Sequence, residues 1–333
     1  MKFALIGCGL IARSHADALG RIEGSELIAV CDNREEVADG LAQEYGCKSY
    51  VDAEKMLDDA KPDAVIICVP TFIHETYAAM CAKRKIHVLC EKPLERHPDT
   101  CKKLINEVKD AGIIFMTAQV VRFWAGYVDI KRMFDAGELG DIYMMHFRRV
   151  SSRAGQYGQW LFNPELGGGA WGDMLVHDID YLRYLAGPFD KVYSNAVKDE
   201  TGCYNNVMAN IIFKSGIHAV AETSFTQQTG YPFSFSVNIV GSKATLEYSY
   251  HAGATIADRS GSECKMKIWR KDIGLEESFV EEYDAYESQL RYYINCLEEK
   301  KQPEIITLEQ SYDVICMIEA IKESADKGEI ITL

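Results

Sequence analysis

The sequence predicts a two-domain α/β protein: a doubly wound parallel sheet over residues 1–120, then an α+β domain with a largely antiparallel, open sheet over residues 121–333. Three observations carry that expectation. The apolar run Phe3-Ala4-Leu5-Ile6 breaks into Gly7-Cys8-Gly9-Leu10-Ile11-Ala12 just before helical spacing begins near Ser14, which reads as strand, tight turn, helix. Through the first third, continuous apolar runs of the kind buried on both faces of a parallel sheet alternate with helical segments. Beyond about Val120 the pattern changes to the two-residue alternation of half-buried strands.

In the opening turn Gly7 allows the sharp bend, Gly9 lets a pyrophosphate approach the backbone, and small Ala12 lets the helix pack close to the strand. The phosphates would lie on the helix N-terminus, where unpaired N–H groups and the helix dipole favour negative charge. The next apolar run, Leu27-Ile28-Ala29-Val30-Cys31, ends in Asp32, about twenty residues after the turn, where the Rossmann dinucleotide fingerprint requires an acid. Asp32 is expected to accept the ribose hydroxyls of adenosine and to repel a 2′-phosphate, so NAD is expected in preference to NADP. A glycine turn in some unrelated α/β protein is the alternative, and the two features together disfavour it.

Arg34 to Tyr45 then has helical spacing, with Val37, Leu41 and Ala42 as its apolar stripe. Asp63 to Val69 is a continuous apolar strand that stops at Pro70, followed by a helix through Tyr77 and Met80. Ile86 to Cys90 is another strand, ending at Glu91-Lys92-Pro93; Pro98 to Ala111 reads as a helix closed by Gly112, and Ile113 to Met116 as a further strand. Gly7, Asp32, Pro70 and Glu91 thus fall at carboxyl ends of strands, where doubly wound sheets bind ligands. In the second domain Gly140 to Val150, Asn205 to Phe213, His218 to Phe225, Ser234 to Val240 and Ala244 to Tyr250 alternate as strands. Helices are expected over about Gly172 to Leu185 and Leu308 to Lys327, and the stripe Tyr286, Leu290, Tyr293, Ile294 has helical spacing and reads as core. A strand-rich domain behind a nucleotide-binding one supplies a substrate pocket, with the active site expected in the cleft between them.

Composition narrows the function classes. A formal charge of −14 with no basic run argues against nucleic-acid binding through phosphate neutralisation. The 11 cysteines form no CxxC pair or Cys/His cluster at metal spacing, so reduced structural thiols and a cytoplasmic location are expected, with no metal. No run of about 18 apolar residues occurs, so no membrane span is expected.

Two clusters carry chemistry. Glu91-Lys92-Pro93 places a cation at a strand end, where an ammonium facing the nicotinamide stabilises a developing alkoxide; a solvated surface lysine is the plain alternative. The second is Gly167-Gly168-Gly169-Ala170-Trp171-Gly172-Asp173-Met174-Leu175-Val176-His177-Asp178-Ile179-Asp180. Its glycines are expected to let the backbone pass close to a ligand, and the helix that follows carries Asp173 and His177 four apart, on one face, with Asp180 near the same stripe and Asp178 turned away. A secondary alcohol needs help to lose its proton while hydride leaves its carbon, and an imidazole with an ordinary pKa of about 6.5 suits that task. Asp173 would bind a neighbouring hydroxyl or orient the imidazole, and Asp180 would fix its tautomer; a structural hydrogen bond is the plain alternative.

These residues resemble the Gfo/Idh/MocA family of glucose–fructose oxidoreductases and inositol dehydrogenases over nearly the whole chain. The likeness lies in the Gly7-Cys8-Gly9 turn, Val69-Pro70-Thr71 with His74, Glu91-Lys92-Pro93, the glycine-rich helix start with Asp173 and His177, and an expected closing strand over Ser324 to Leu333. The resemblance implies Lys92, Asp173 and His177 as the catalytic group. It also implies that Pro70, Thr71 and His74 line the cofactor and that Glu91 reaches the nicotinamide ribose. Cofactor contacts are expected from Gly7, Gly9, Leu10, Ile11, Asp32, Asn33, Arg34, Val69, Pro70, Thr71, His74, Glu91, Lys92 and Gln119. Lys92, Arg122, Trp160, Asp173 and His177 are the expected substrate contacts, with Arg153 and Tyr157 flanking them. Trp160 stacking on a sugar ring is weighed against packing, Arg122 recognition against a structural pair, and His15 is read as a packed helix residue. The chain departs from many members in having Leu175 where they have glycine, a bulkier side chain expected to reshape the pocket.

The implied activity is NAD-dependent hydride transfer from a secondary hydroxyl of a cyclic polyol, sugar or sugar derivative. Two other readings stand beside it: a glycosidase or lyase that oxidises a ring carbon transiently, and a non-catalytic NAD-sensing regulator. The partners expected are a small-molecule substrate and, by analogy, further copies of the chain in a homodimer or homotetramer.

Overall fold

The computed structural model describes residues 1–152, 158–252, 263–278, 280 and 283–333, and its contacts divide them into two compact units. The first comprises Met1–Phe123 with Asp284–Ile315, the second Trp124–Tyr283 with Cys316–Leu333. Arg153 and Tyr157 lie outside the described residues.

The first unit alternates β1 (Lys2–Ile6), α1 (Leu10–Gly20), β2 (Glu26–Cys31), α2 (Glu35–Tyr45), β3 (Lys48–Tyr50), α3 (Ala53–Ala60), β4 (Ala64–Ile67), α4 (His74–Lys83), β5 (His87–Cys90), α5 (Pro98–Ala111) and β6 (Phe115–Thr117). All neighbours are parallel and the strand order is β3-β2-β1-β4-β5-β6, with the reversal at β1 and β4 that defines a doubly wound sheet. Ala64, Val65, Ile66 and Ile67 are wholly buried, because helices cover both faces of a parallel sheet. Short β3 and α3 are not legible in the apolar pattern: β3 is Lys-Ser-Tyr, and α3 is set by Asp52, whose carboxylate caps the Lys55 N–H.

The second unit contains α6 (Ala125–Asp135), β7 (Ile142–Ser152), α7 (Val176–Ala186), β8 (Phe189–Lys198), β9 (Tyr204–Phe213), β10 (His218–Gln227), β11 (Ser234–Gly241), β12 (Ala244–His251), β13 (Glu263–Arg270) and β14 (Gly274–Ser278). Two helices follow, α8 (Ala285–Glu299) within the first unit and α9 (Leu308–Lys327), whose residues are shared between the units, before β15 (Ile331–Thr332). The nine-stranded sheet has the order β14-β13-β12-β11-β7-β10-β9-β8-β15 and is antiparallel except for β7 beside β10. Met145, Phe147 and Arg149 of β7 are buried on the face that carries α7, while Met144, Tyr193, Val197 and Met208 are exposed on the other.

The expected closing strand over Ser324 to Leu333 is corrected by the structure. Helix α9 runs to Lys327 and only Ile331–Thr332 pair with β8, because the Ser324 hydroxyl is buried in the helix and donates to the Glu329 carbonyl. The stripe Tyr286, Leu290, Tyr293, Ile294 lies on α8, and Leu290, Tyr293 and Ile294 are core residues.

Candidate active site

In the first unit, four strand ends bring the expected cofactor residues together. Gly7 follows β1 at φ +90°, and a Cβ there would lie 2.5 Å from the Cys68 carbonyl oxygen, so glycine is required both for the turn and for the approach to the chain leaving β4. A Cβ at Gly9 would meet nothing within 4 Å, leaving open space in front of the N-terminus of α1, and Ala12 behind it is fully buried. Leu10 is exposed and Ile11 half-buried beside that space.

Asp32 is drawn into the same turn. Its Oδ2 accepts the Cys8 N–H at 3.0 Å, and Arg34 donates its backbone N–H and Nε to Oδ1, each at 3.0 Å. Burial pushes the Asp32 carboxyl up, but hydrogen bonds from Arg34 and the Cys8 amide outweigh it and hold the pKa below the ordinary value. Arg34 and neighbouring Asn33 are exposed, so this guanidinium sits at the edge where an adenosine ribose would compete for Asp32.

The loops after β4 and β5 are tied by His74. It is buried, with Nε2 at 2.9 Å from the Val69 carbonyl and Nδ1 at 3.0 Å from the Pro93 carbonyl, so it fixes the loop after β4 to the loop after β5. Val69 and Pro70 are half-buried and Thr71 is buried at the start of the turn into α4. Burial holds the His74 pKa below the ordinary value, outweighing its carbonyl contacts.

Glu91 directly follows β5, and its partner is not legible from the sequence. The fully buried His15 of α1 holds Nε2 at 2.8 Å from Glu91 Oε1, while Oε2 accepts the Lys92 N–H at 3.1 Å. An ionised carboxylate can only accept, so the imidazole donates. Burial pushes Glu91 up, and the His15 hydrogen bond with the Lys92 ammonium more than reverses it. Lys92 is half-buried, in a cis peptide with Pro93. A signal for His15 was present in principle: a histidine on the inward stripe of an otherwise Ala/Leu helix face needs a partner.

Whether these residues fit a dinucleotide is tested by Gln119, whose Oε1 is buried with no partner among the described residues. An acceptor left unsatisfied beyond the carboxyl end of β6, together with the open space before Gly9, is what a bound polar cofactor would complete. Arg122 is buried and donates to the Ile305 carbonyl and to Gln310 Oε1 at 2.7 Å.

In the second unit the glycine-rich segment is packed closely against the protein itself. A Cβ at Gly169 (φ +81°) would lie 2.2 Å from Asn205 Oδ1, and one at Gly172 would lie 2.3 Å from the Gly167 carbonyl oxygen. Asn205 Oδ1 accepts the Ala170 N–H at 2.9 Å, anchoring the helix start to β9. Trp160, in a half-buried turn over Gln159–Phe162, precedes this segment.

The helix that follows opens with a π-helical turn, Trp171–Leu175, before α7 begins at Val176. Such turns are rare and cluster at functional sites. Trp171, Met174, Leu175, Val176, Asp178, Ile179, Asp180, Tyr181 and Leu182 are all buried, whereas Asp173 and His177 are half-buried along one strip. Leu175 is wholly buried, so its bulk goes into the core and not to that strip. Asp178, expected to turn away, does so, towards Arg149.

Residues 1–119 match a family model described as the oxidoreductase family with an NAD-binding Rossmann fold, and residues 127–247 match the GFO/IDH/MocA C-terminal domain. The class of protein is therefore a dinucleotide-binding oxidoreductase. More narrowly, the chain belongs to the GFO/IDH/MocA family. It is 28% identical to a myo-inositol 2-dehydrogenase of Thermotoga maritima over 92% of this chain and 90% of that one. It is 26% identical to an NAD(+)-dependent scyllo-inositol 2-dehydrogenase of Bacillus subtilis, covering 94% and 91% respectively. Among solved structures, one described as a putative NADPH-dependent oxidoreductase of Desulfitobacterium hafniense superposes with a TM-score of 0.90 at 22% identity, covering 100% of this chain and 97% of that one, a likeness of fold.

Proposed function

We propose that this protein is an NAD-dependent dehydrogenase that oxidises a secondary hydroxyl of a cyclic polyol or sugar, with an inositol as its foremost substrate class. The observation that carries the reading is the near full-length similarity to inositol 2-dehydrogenases, joined to a half-buried strip that runs from Asp173 of the π-helical turn to His177 of α7. Bound NAD supplies the hydride acceptor; Gly7, Gly9, Asp32, Glu91 and Gln119 are the residues that would hold it. His177 takes the hydroxyl proton onto its ring as the carbon loses hydride, avoiding a free alkoxide. The Lys92 ammonium stabilises the negative charge that develops on the same oxygen, and Asp173 accepts a hydrogen bond from a neighbouring hydroxyl, fixing which carbon reacts. Trp160 supplies an apolar face for the ring carbons.

The test is incubation of purified protein with NAD and a panel of inositols, free sugars and glycosides, following nicotinamide absorbance and product mass together. NADH accumulating with a keto product is expected; aglycone release without NADH would establish a transient-redox glycosidase or lyase, and NAD binding without either would establish a sensor. Lys92→Ala and His177→Ala are expected to lower kcat by at least a hundredfold, about 2.7 kcal/mol, while NAD still binds. The face bearing Met144, Tyr193, Val197 and Met208 exposes more apolar side chain than isolated surface residues do, and we assign it to contact with a second copy of the chain, testable by light scattering. No helix among the described residues is long and apolar enough to cross a membrane.

A further inference from the structure

Arg149 of β7 and Asp178 of α7 form a buried ion pair, with side chains 2% and 1% exposed. The contact is a two-pronged fork: Nε lies 3.1 Å from Oδ2 and Nη2 lies 2.9 Å from Oδ1. Nη2 also donates to the Tyr127 hydroxyl of α6 at 3.0 Å, the Tyr127 ring meets Tyr181 of α7 edge-on at 4.7 Å, and Phe235 of β11 lies 5.3 Å from the guanidinium. Two strands and two helices therefore converge on one charge.

We propose that Arg149 and Asp178 are positioning residues that set the rotation of α7 about its axis and thereby aim His177, an inference that rests on the proposed role of His177 as base. A buried ion pair is a poor source of stability, since desolvation offsets much of its attraction and well-packed apolar side chains serve as well. What a forked pair adds is direction. Helix α7 has particular need of it. The π-helical turn Trp171–Leu175 interrupts the regular hydrogen-bond ladder upstream, so the α-helical phase is not inherited from the glycine-rich segment and begins at Val176. Asp178 is the next residue after His177, about 100° away around the helix, so holding one carboxylate fixes the direction of the imidazole. With ring atoms roughly 6 Å from the axis, a rotation of about 10° moves them by about 1 Å. A misplacement of that size costs a rate of about a hundredfold.

The discriminating variant is the double replacement Arg149→Met/Asp178→Leu, which removes both charges and leaves neither buried partner unpaired. If the pair aims His177, this protein melts within a few degrees of wild type, binds NAD with unchanged affinity and keeps KM for the polyol within about twofold. Its kcat falls about 10- to 100-fold. In the NAD-saturated protein the His177 imidazole NMR signal, identified as the one missing from His177→Ala, shifts or broadens. Asp178→Asn preserves shape and covers the case in which the double variant does not fold; it is expected to lower kcat about threefold or more with KM unmoved. Wild-type kcat and an unshifted His177 signal in either folded variant, whatever the melting temperature, would overturn the proposal. Full turnover in His177→Ala would instead remove the reading beneath it, whereas loss of turnover there with wild-type behaviour in the double variant would remove the positioning role alone.

Discussion

Replacing His15 by alanine removes the imidazole that donates to Glu91 Oε1 at 2.8 Å. A hydrogen bond to a buried charged acceptor contributes about 1.5–3 kcal/mol, and the truncated side chain leaves a void as well, so a loss of about 2–4 kcal/mol is expected. For a chain region of this size each kcal/mol moves Tm by about 2–4 °C, giving a fall of roughly 4–16 °C at pH 7. The pH dependence separates this mechanism from simple loss of packing. In the wild type, Glu91 is held below its ordinary value, so its contribution is present above about pH 4.3 and is lost as pH falls through its folded pKa. In His15→Ala, burial is left to push the carboxyl up; folding is then penalised above the ordinary carboxyl value, and the penalty disappears as pH falls below it. The gap in Tm between the two proteins should therefore be largest near neutrality and narrow towards pH 4. Calorimetry across pH 4–8 measures it, with His15→Gln, which retains a donor, as an intermediate case. A gap that stays constant with pH would refute the role assigned to the His15–Glu91 hydrogen bond, and a His15→Ala protein melting like wild type would refute its contribution altogether.

Three further outcomes follow from the same geometry. Gly169→Ala forces a left-handed backbone on alanine and drives its Cβ into Asn205 Oδ1, so it should destabilise by about 2–4 kcal/mol, read as a lower urea midpoint; an unchanged midpoint would show that this turn can relax. Asp32→Ser removes the charge that repels a 2′-phosphate and leaves Arg34 without its carboxylate, so the NADP-to-NAD affinity ratio, by fluorescence titration, should rise at least about tenfold. An unaltered ratio would take Asp32 out of coenzyme choice. Stability of the whole protein should also decline below about pH 6.5, because burial lowers the His74 pKa in the fold and the unfolded chain then takes up the extra proton. His74→Gln should flatten that part of the profile, and an equally steep decline in that variant would place its origin elsewhere.

Much of the first unit was legible because its signals are local. A glycine pair between an apolar run and a helix, an acid at the end of the next strand, and Pro98 to Ala111 closed by Gly112 each state their own geometry within a few residues, and the structure has α5 at Pro98–Ala111. The same held for α9, whose helical period predicts Leu308 to Lys327. The short elements β3 and α3 escaped because too few residues repeat to show a period. The glycines at 167–172 were legible as glycines but not in purpose. Only the fold shows that the atoms they make room for belong to Asn205 and to Gly167 itself.

By itself, then, the sequence determined the longer strands and helices of the first unit, five strands of the second sheet and helix α9, the dinucleotide turn, and, through the family resemblance, Lys92, Asp173 and His177 as the residues worth testing. Tertiary structure alone decided which buried polar groups meet: His15 meets Glu91 across 76 residues, Arg149 meets Asp178 across 29, and Arg122 turns to Ile305 and Gln310. The physical reason is that backbone periodicity is written in near neighbours. A buried charge must instead find its counter-charge or hydrogen-bond partner wherever the chain brings one, and only the packed fold specifies that place.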